Sequence, residues 1–273
     1  MTDSRLLATL LSFVCLAIVY GALERAFPAR PGRRLREPDA LVDGCFFLGQ
    51  YLLWSVLALA VLASVHAAID AHAWSPLREL ASSMPVWALA VASVVAGDVL
   101  VYWFHRACHR YEWLWRFHAV HHSSERLDWL AAHREHPFDG IATQLAQNLP
   151  AMLLGLPFEV LAVLVAFRGA WSIFIHSNVK LPLGPLRVLC GAPELHHFHH
   201  ARVERTAHNF ANVAPWLDVL FGTYHRPRAD EAYELGLTEA WPKGYIGQLL
   251  RPFLPVGSAP TRLRAKVLRQ TAA

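Results

Sequence analysis

Residues 86–122 read VWALAVASVVAGDVLVYWFHRACHRYEWLWRFHAVHH. The run from Val86 to Phe104 is apolar apart from Asp98, and it stops at His105. About 20 apolar residues suffice to cross a bilayer, so this run predicts a span that ends at a membrane surface. His105-Arg-Ala-Cys-His109 then places residues i and i+4 on one helical face, and His118-Ala-Val-His121-His122 offers i, i+3 and i+4. The segment His196-His197-Phe198-His199-His200 repeats the second spacing. Imidazole is the commonest protein ligand for transition metals, and the eight rings at these motif spacings, His197 aside, are too many for one ion. The pattern predicts a two-metal centre, suited to redox chemistry, at a membrane surface.

The rest of the chain supports a bilayer setting. Of its 273 residues 55% are hydrophobic and 17% charged, with a mean hydropathy of +0.28; a soluble domain carries about 25% charged residues. Leu6 to about Ala26 reads as a first span. A signal peptide would have a shorter apolar region, a small-residue cleavage site and more positive charge ahead of it. Leu41 to about Ala68 reads as the second span and Val86 to Phe104 as the third. The apolar region from about Ile141 to Ile175 is broken at Gly155-Leu156-Pro157, which predicts a helical hairpin. A single long span there would put the histidine clusters on opposite sides of the membrane. The expected fold is an all-α integral membrane protein with about four transmembrane helices, the hairpin included, under a histidine-rich helical cap. Arg30, Arg33, Arg34 and Arg36 follow the first span, so that loop and the cap are expected to face the cytoplasm.

Residues 1–84 are read as N-terminal helices and loops. Residues 227–273 are read as a polar and basic tail in which Arg262, Arg264, Lys266 and Arg269 face lipid headgroups or simply water. Cys15, Cys45, Cys108 and Cys190 are widely spaced with no CxxC pair, as expected of reduced thiols. The formal charge of +4 is small and scattered, which argues against nucleic acid as a partner.

A lone His105/His109 pair would ordinarily be a solvated helix face. Three clusters beside a membrane are different, because unpaired imidazoles there are costly to desolvate and coordination removes that cost. The alternative is a histidine-rich membrane metal-binding or metal-transport protein, but transport ligands belong near the bilayer midplane and these lie outside the apolar runs. A bis-histidine haem needs single facing pairs rather than HxxHH triples. Structural zinc stays open, since imidazole sites favour zinc over iron on affinity.

Together, His105-x-x-x-His109, His118-x-x-His121-His122 and His196-x-x-His199-His200 on this scaffold resemble the fatty acid hydroxylase and sterol desaturase superfamily. Asp98 to His109, Arg134-Glu-His136-Pro137, His208-Asn209-Phe210 and Phe221-Gly222-Thr223-Tyr224 add to the resemblance, which covers about residues 85–226. It implies a membrane-bound catalytic domain over that range and a non-haem centre of two iron ions. Dioxygen would be the cosubstrate, and a lipid-like substrate would be hydroxylated or desaturated. It also implies the metal ligands His105, His109, His118, His121, His122, His196, His199 and His200, with His136 and His176 as further ligands. One departure from some members is Lys180, four residues after His176, where they carry a second histidine.

Asp98, one helical face below the first motif on the third span, is the expected catalytic-site carboxylate, accepting a ring N–H from a ligand histidine. Glu125, Asp128, Asp139, Glu194 and Asp218 are further candidates for that task. His133 and His197 are possible neighbours of the site, and His208 and His225 read as structural. No dinucleotide motif, cysteine array or haem-attachment motif is present, so electrons are expected from a separate donor such as a ferredoxin or a cytochrome b5-like protein. Arg106, Arg110, Arg116, Arg126, Arg134, Arg202 and Arg205 suit either that donor or lipid phosphates. Trp103, Trp113, Trp115, Trp129, Trp171 and Trp216 are expected to anchor the protein at the interface.

Overall fold

The computed structural model describes residues 2–30, 38–72, 75–228 and 231–255. Among these the protein is helical, with two isolated antiparallel bridges, Pro28 with Val179 and Ala201 with Leu235. Among the described residues four stretches are long and apolar enough to cross a membrane: Ser4–Ala26, Asp39–His72, Val86–Arg110 and Phe158–His176. Arg33, Arg34, Arg36 and the basic tail lie outside the described residues.

Helix α1 (Thr2–Ala26) is followed by α2 (Pro38–Gly49), a π-helical turn at Gln50–Trp54 and α3 (Ser55–His72). The continuous stretch Asp39–His72 is 34 residues long. At 1.5 Å per residue that exceeds the ~30 Å hydrocarbon core. Helix α3 buries none of its residues, as expected of a helix facing lipid. Helix α1 is tied to the body through polar groups near its end. The Tyr20 hydroxyl donates to the Ala170 carbonyl at 2.7 Å, and Glu24 accepts from the backbone N–H of Trp129 and of Asn178.

After the short α4 (Ser75–Ser82), α5 (Val86–Arg110) starts at Pro85, whose extended backbone and missing N–H suit a helix entry. It runs past the apolar segment to carry His105 and His109. An extended Tyr111 breaks the chain before α6 (Glu112–His122). The hairpin is present as α7 (Pro137–Leu153) and α8 (Phe158–His176), joined at Gly155, whose φ of +70° favours glycine. It returns His176 to the end of the molecule that holds His105.

Helices α5 and α7 pack closely together, and Gly97 permits it. A Cβ on Gly97 would stand 2.3 Å from the Gln147 carbonyl oxygen. Arg168 of α8 donates to the Ser93 and Val94 carbonyls at the same level, so α5, α7 and α8 are held as one unit.

The cap is completed by α9 (Leu186–Cys190), α10 (Pro193–His199), α11 (Trp216–Leu220) and α12 (Tyr245–Leu250). Residues 231–255 fold back onto the body rather than trailing away. Leu235 is buried with Leu127 and Ala131, and Tyr245 packs edge-on against Phe46 at 4.8 Å.

Candidate metal centre

Nine histidines converge in two adjoining groups. The ligand atoms of His105, His109, His118, His122 and His199 lie within 4.8 Å of one another, and so do those of His121, His176, His196 and His200. The helical register explains the division. On α6 the i, i+4 pair His118 and His122 serves the first group, while His121 turns to the second. At the end of α10 the roles exchange: His196 and His200 serve the second group, and His199 reaches the first. Helix α5 completes one group with His105 and His109, and α8 completes the other with His176. The groups touch where His122 stacks on His200, with ring centroids 4.3 Å apart.

The outward ring nitrogens are pinned by acceptors. His105 Nδ1–H donates to the Phe210 carbonyl at 2.8 Å, His121 Nδ1–H to Arg134 at 3.1 Å, His176 Nδ1–H to Ser172 at 2.6 Å and His199 Nδ1–H to His208 at 2.8 Å. His118 Nδ1 meets the Asp139 carboxylate at 2.8 Å. A carbonyl only accepts, so each of these rings carries its proton on Nδ1 and aims a bare Nε2 inward. His121 and His176 therefore point two lone pairs at each other across 3.0 Å. His105 Nε2 and His199 Nε2 are buried without a hydrogen-bond partner. Such an arrangement is costly unless a cation sits among the lone pairs, so the residues present fit a pair of metal ions.

Burial, and secondly the neighbouring His118, push His121 down to about 4. Burial and adjacent imidazoles likewise hold His122, His196, His199 and His200 well below the ordinary histidine range. Neutral rings are what coordination requires.

Two expected site residues stand elsewhere. His136 belongs to neither group: it caps α7, its Nδ1 accepting from the Phe138 N–H at 3.2 Å, and its Nε2 faces the Leu249 carbonyl at 3.2 Å. Proline at the first helical position makes the preceding residue a cap, and that signal in His136-Pro137 was available in the sequence. Asp98 makes no hydrogen bond to any of the nine histidines. Its carboxylate accepts from the backbone N–H of Val213 and Ala214, while Asp218 accepts from those of Phe210 and Ala211. The two aspartates thus hold the loop whose Phe210 carbonyl orients His105. Among the described residues, the carboxylate that meets a ring of the two groups is Asp139.

His197 faces away from both groups and donates to the His176 and Ser177 carbonyls. His133 is buried and stacks near Phe47 at 4.9 Å. His225 pairs with Glu231. Arg134 is buried against Asp43 at 2.6 Å, so it offers nothing to a docking partner. Arg202 and Arg205 are paired with glutamates. Trp103 and Trp113 are exposed as interfacial anchors would be, whereas Trp115 and Trp129 are buried.

A cavity of about 490 Å³ adjoins the centre, reaching from His105, His118, His121, His176 and His196 down to Gln147 and Arg168. Glu135 lines it, and burial together with Asp139 holds its carboxyl well above the ordinary range.

A helical protein with four helices apolar enough to cross a membrane, and two adjoining histidine groups that could each hold a metal ion, is the class that this architecture defines. Residues 90–223 match the fatty acid hydroxylase family. The ornithine lipid hydroxylase OlsE of Rhizobium tropici is 31% identical over 199 residues, 72% of this chain and 58% of that protein. The alkylglycerol monooxygenase of Homo sapiens is 33% identical over 139 residues, 50% of this chain and 31% of its own length. The very-long-chain aldehyde decarbonylase GL1-8 of Oryza sativa subsp. indica is 29% identical over 158 residues, 55% of this chain and 59% of its own. The chain thus spans between about a third and three-fifths of the length of these relatives. No solved structure matches it significantly.

Proposed function

We propose that this protein is a membrane-bound di-iron oxygenase that hydroxylates or desaturates a lipid, using dioxygen and electrons from a separate donor such as a ferredoxin or cytochrome b5-like protein. The observation that carries the reading is the pair of adjoining histidine groups with inward-facing lone pairs. His105, His109, His118, His122 and His199 would hold one ion, and His121, His176, His196 and His200 the other. When bound, two iron ions supply electrons to dioxygen and the capacity to take hydrogen from an unactivated C–H bond. The protein's own part is orientation. Asp139 and the carbonyls of Phe210, Arg134, Ser172 and His208 fix the rings, and the adjoining cavity holds a substrate against them. The activities that name the relatives, ornithine lipid hydroxylase and alkylglycerol monooxygenase, favour a lipid substrate. Residues 85–226 would form the catalytic domain, with the centre on the cytoplasmic side.

The test is expression in a host grown under heavy-isotope dioxygen, followed by lipid mass spectrometry. Isotope in a lipid of cells carrying the parent, and its loss with His199→Ala, is the expected result for hydroxylation. For desaturation the expected result is a lipid two hydrogens lighter. No lipid change of either kind, with the protein metal-loaded, overturns the reading.

A further inference from the structure

A second cavity, of about 310 Å³, opens beside the first. Ala58, Leu59 and Leu62 of α3 form one side, and Pro137 and Ile141 of α7 the other. It shares Gln50, Ser55, Glu135, Gly140, Gln144 and Val165 with the chamber at the histidines, so the two spaces meet at a common wall. The side chamber is apolar away from that wall. The main chamber is different in kind, with Asp98, Thr143, Gln147, Arg168 and Ser172 among its lining.

One polar residue at the join has unmet capacity. Gln50 Oε1 is buried without a hydrogen-bond partner. Gln50 also opens the π-helical turn that interrupts the second span, a distortion that concentrates at functional sites. Gln144 Oε1 accepts from Gln147 and Asn148, which fixes its amide at the wall. Gly140 leaves room for the Glu135 carboxyl, since a Cβ would stand 2.5 Å from its Oε2 and displace it. Beyond the wall, α3 buries none of its residues, so the side chamber is bounded on that flank by a helix that faces lipid.

We infer that the side chamber receives the acyl chain of a single amphiphilic lipid from the bilayer, between α3 and α7, and that Gln50, Glu135 and Gln144 hold its polar linkage at the wall. The chain's apolar end then stays in the side chamber, and the lipid's polar end lies in the main chamber against the histidines. Gln144 is five residues along α7 from Asp139, the partner of His118, a rise of ~7.5 Å. The wall thus stands little more than one helical turn along α7 from the residue that fixes His118, so the part of the lipid presented to the centre is the part next to its polar linkage. This deepens the lipid-oxygenase reading and rests on it: oxidation falls near the headgroup and not at mid-chain or the terminal methyl.

The experiment is photolabelling of the full chain with palmitic acid that carries a diazirine at its terminal carbon, the labelled peptides being mapped by mass spectrometry. It needs no turnover, so it can fail or succeed independently of the oxygenase reading, which the isotope experiment judges. The label is expected on α3 and α7 around Ala58, Leu62 and Ile141. Ala58→Trp and Ile141→Trp, each filling the side chamber from a different helix, should lower labelling at least fivefold with the parent's thermal melt retained. Val163→Trp, exposed on α8 outside both cavities, should leave it unchanged. Label confined to main-chamber peptides, or labelling that both folded tryptophan variants leave intact, overturns the inference.

Discussion

Asp139 meets His118 Nδ1 at 2.8 Å with both side chains buried, and it is the carboxylate that fixes a ligand ring of the candidate centre. The other pinned rings use backbone carbonyls, so Asp139 is the partner that a point substitution can remove. Partners of this kind are worth about 10–100-fold in metal affinity. Asp139→Ala should weaken the first group by that amount in a chelator competition assay and leave the second group less affected. Equal affinity in parent and variant would show that the contact does not orient a ligand.

Gly97 sets the approach of α5 to α7. Gly97→Leu forces its side chain into the Gln147 carbonyl, an overpacking that costs about 1–3 kcal/mol or more. The expected outcome is a lower thermal midpoint and, because α5 carries His105 and His109, reduced metal occupancy. A variant that melts like the parent would mean the helices separate without cost.

The buried pair of Arg134 and Asp43 links the loop after α6 to the second span. Removing one partner of such a pair costs about 3–5 kcal/mol, because it strands the other charge. Asp43→Ala should therefore destabilise strongly. It should also disturb His121, whose Nδ1–H is held by the Arg134 carbonyl. Chemical denaturation in detergent, with metal content measured alongside, checks both.

Stability of the metal-free protein should fall on acidification. His121, His122, His196, His199 and His200 have lower pKa values folded than the ~6.5 of an unfolded histidine. Below that pH the unfolded chain takes up protons that the folded chain refuses, so stability is full above about pH 6.5 and declines toward pH 4. Melting midpoints at about pH 7.5 and about pH 5 should differ clearly in the metal-free protein. A flat profile would mean that the rings are not held neutral by burial.

Much of this was legible in the sequence because it is local. The apolar run into His105, the i, i+3, i+4 spacing and the break at Gly155-Leu156-Pro157 are short-range patterns, and helices, hairpin and ligand clusters follow from them. What escaped is set by contacts between distant residues. Asp98 binds the N–H groups of Val213 and Ala214, 115 and 116 residues away, so its task is to hold the loop that orients His105. Arg134 reads as a surface cation until Asp43, 91 positions earlier, is placed against it. The sharing of each HxxHH motif between two groups depends on ring positions that spacing alone leaves open, since both i+3 and i+4 fall near one face.

The nine histidines are proposed to hold two metal ions. Metal analysis of iron-supplemented, detergent-purified protein tests this most directly, beside a variant carrying His121→Ala and His199→Ala, one ligand from each group. About two irons per chain in the parent and a clear loss in the variant is the predicted result. Metal absent from a folded parent, or occupancy unchanged in the variant, would contradict it.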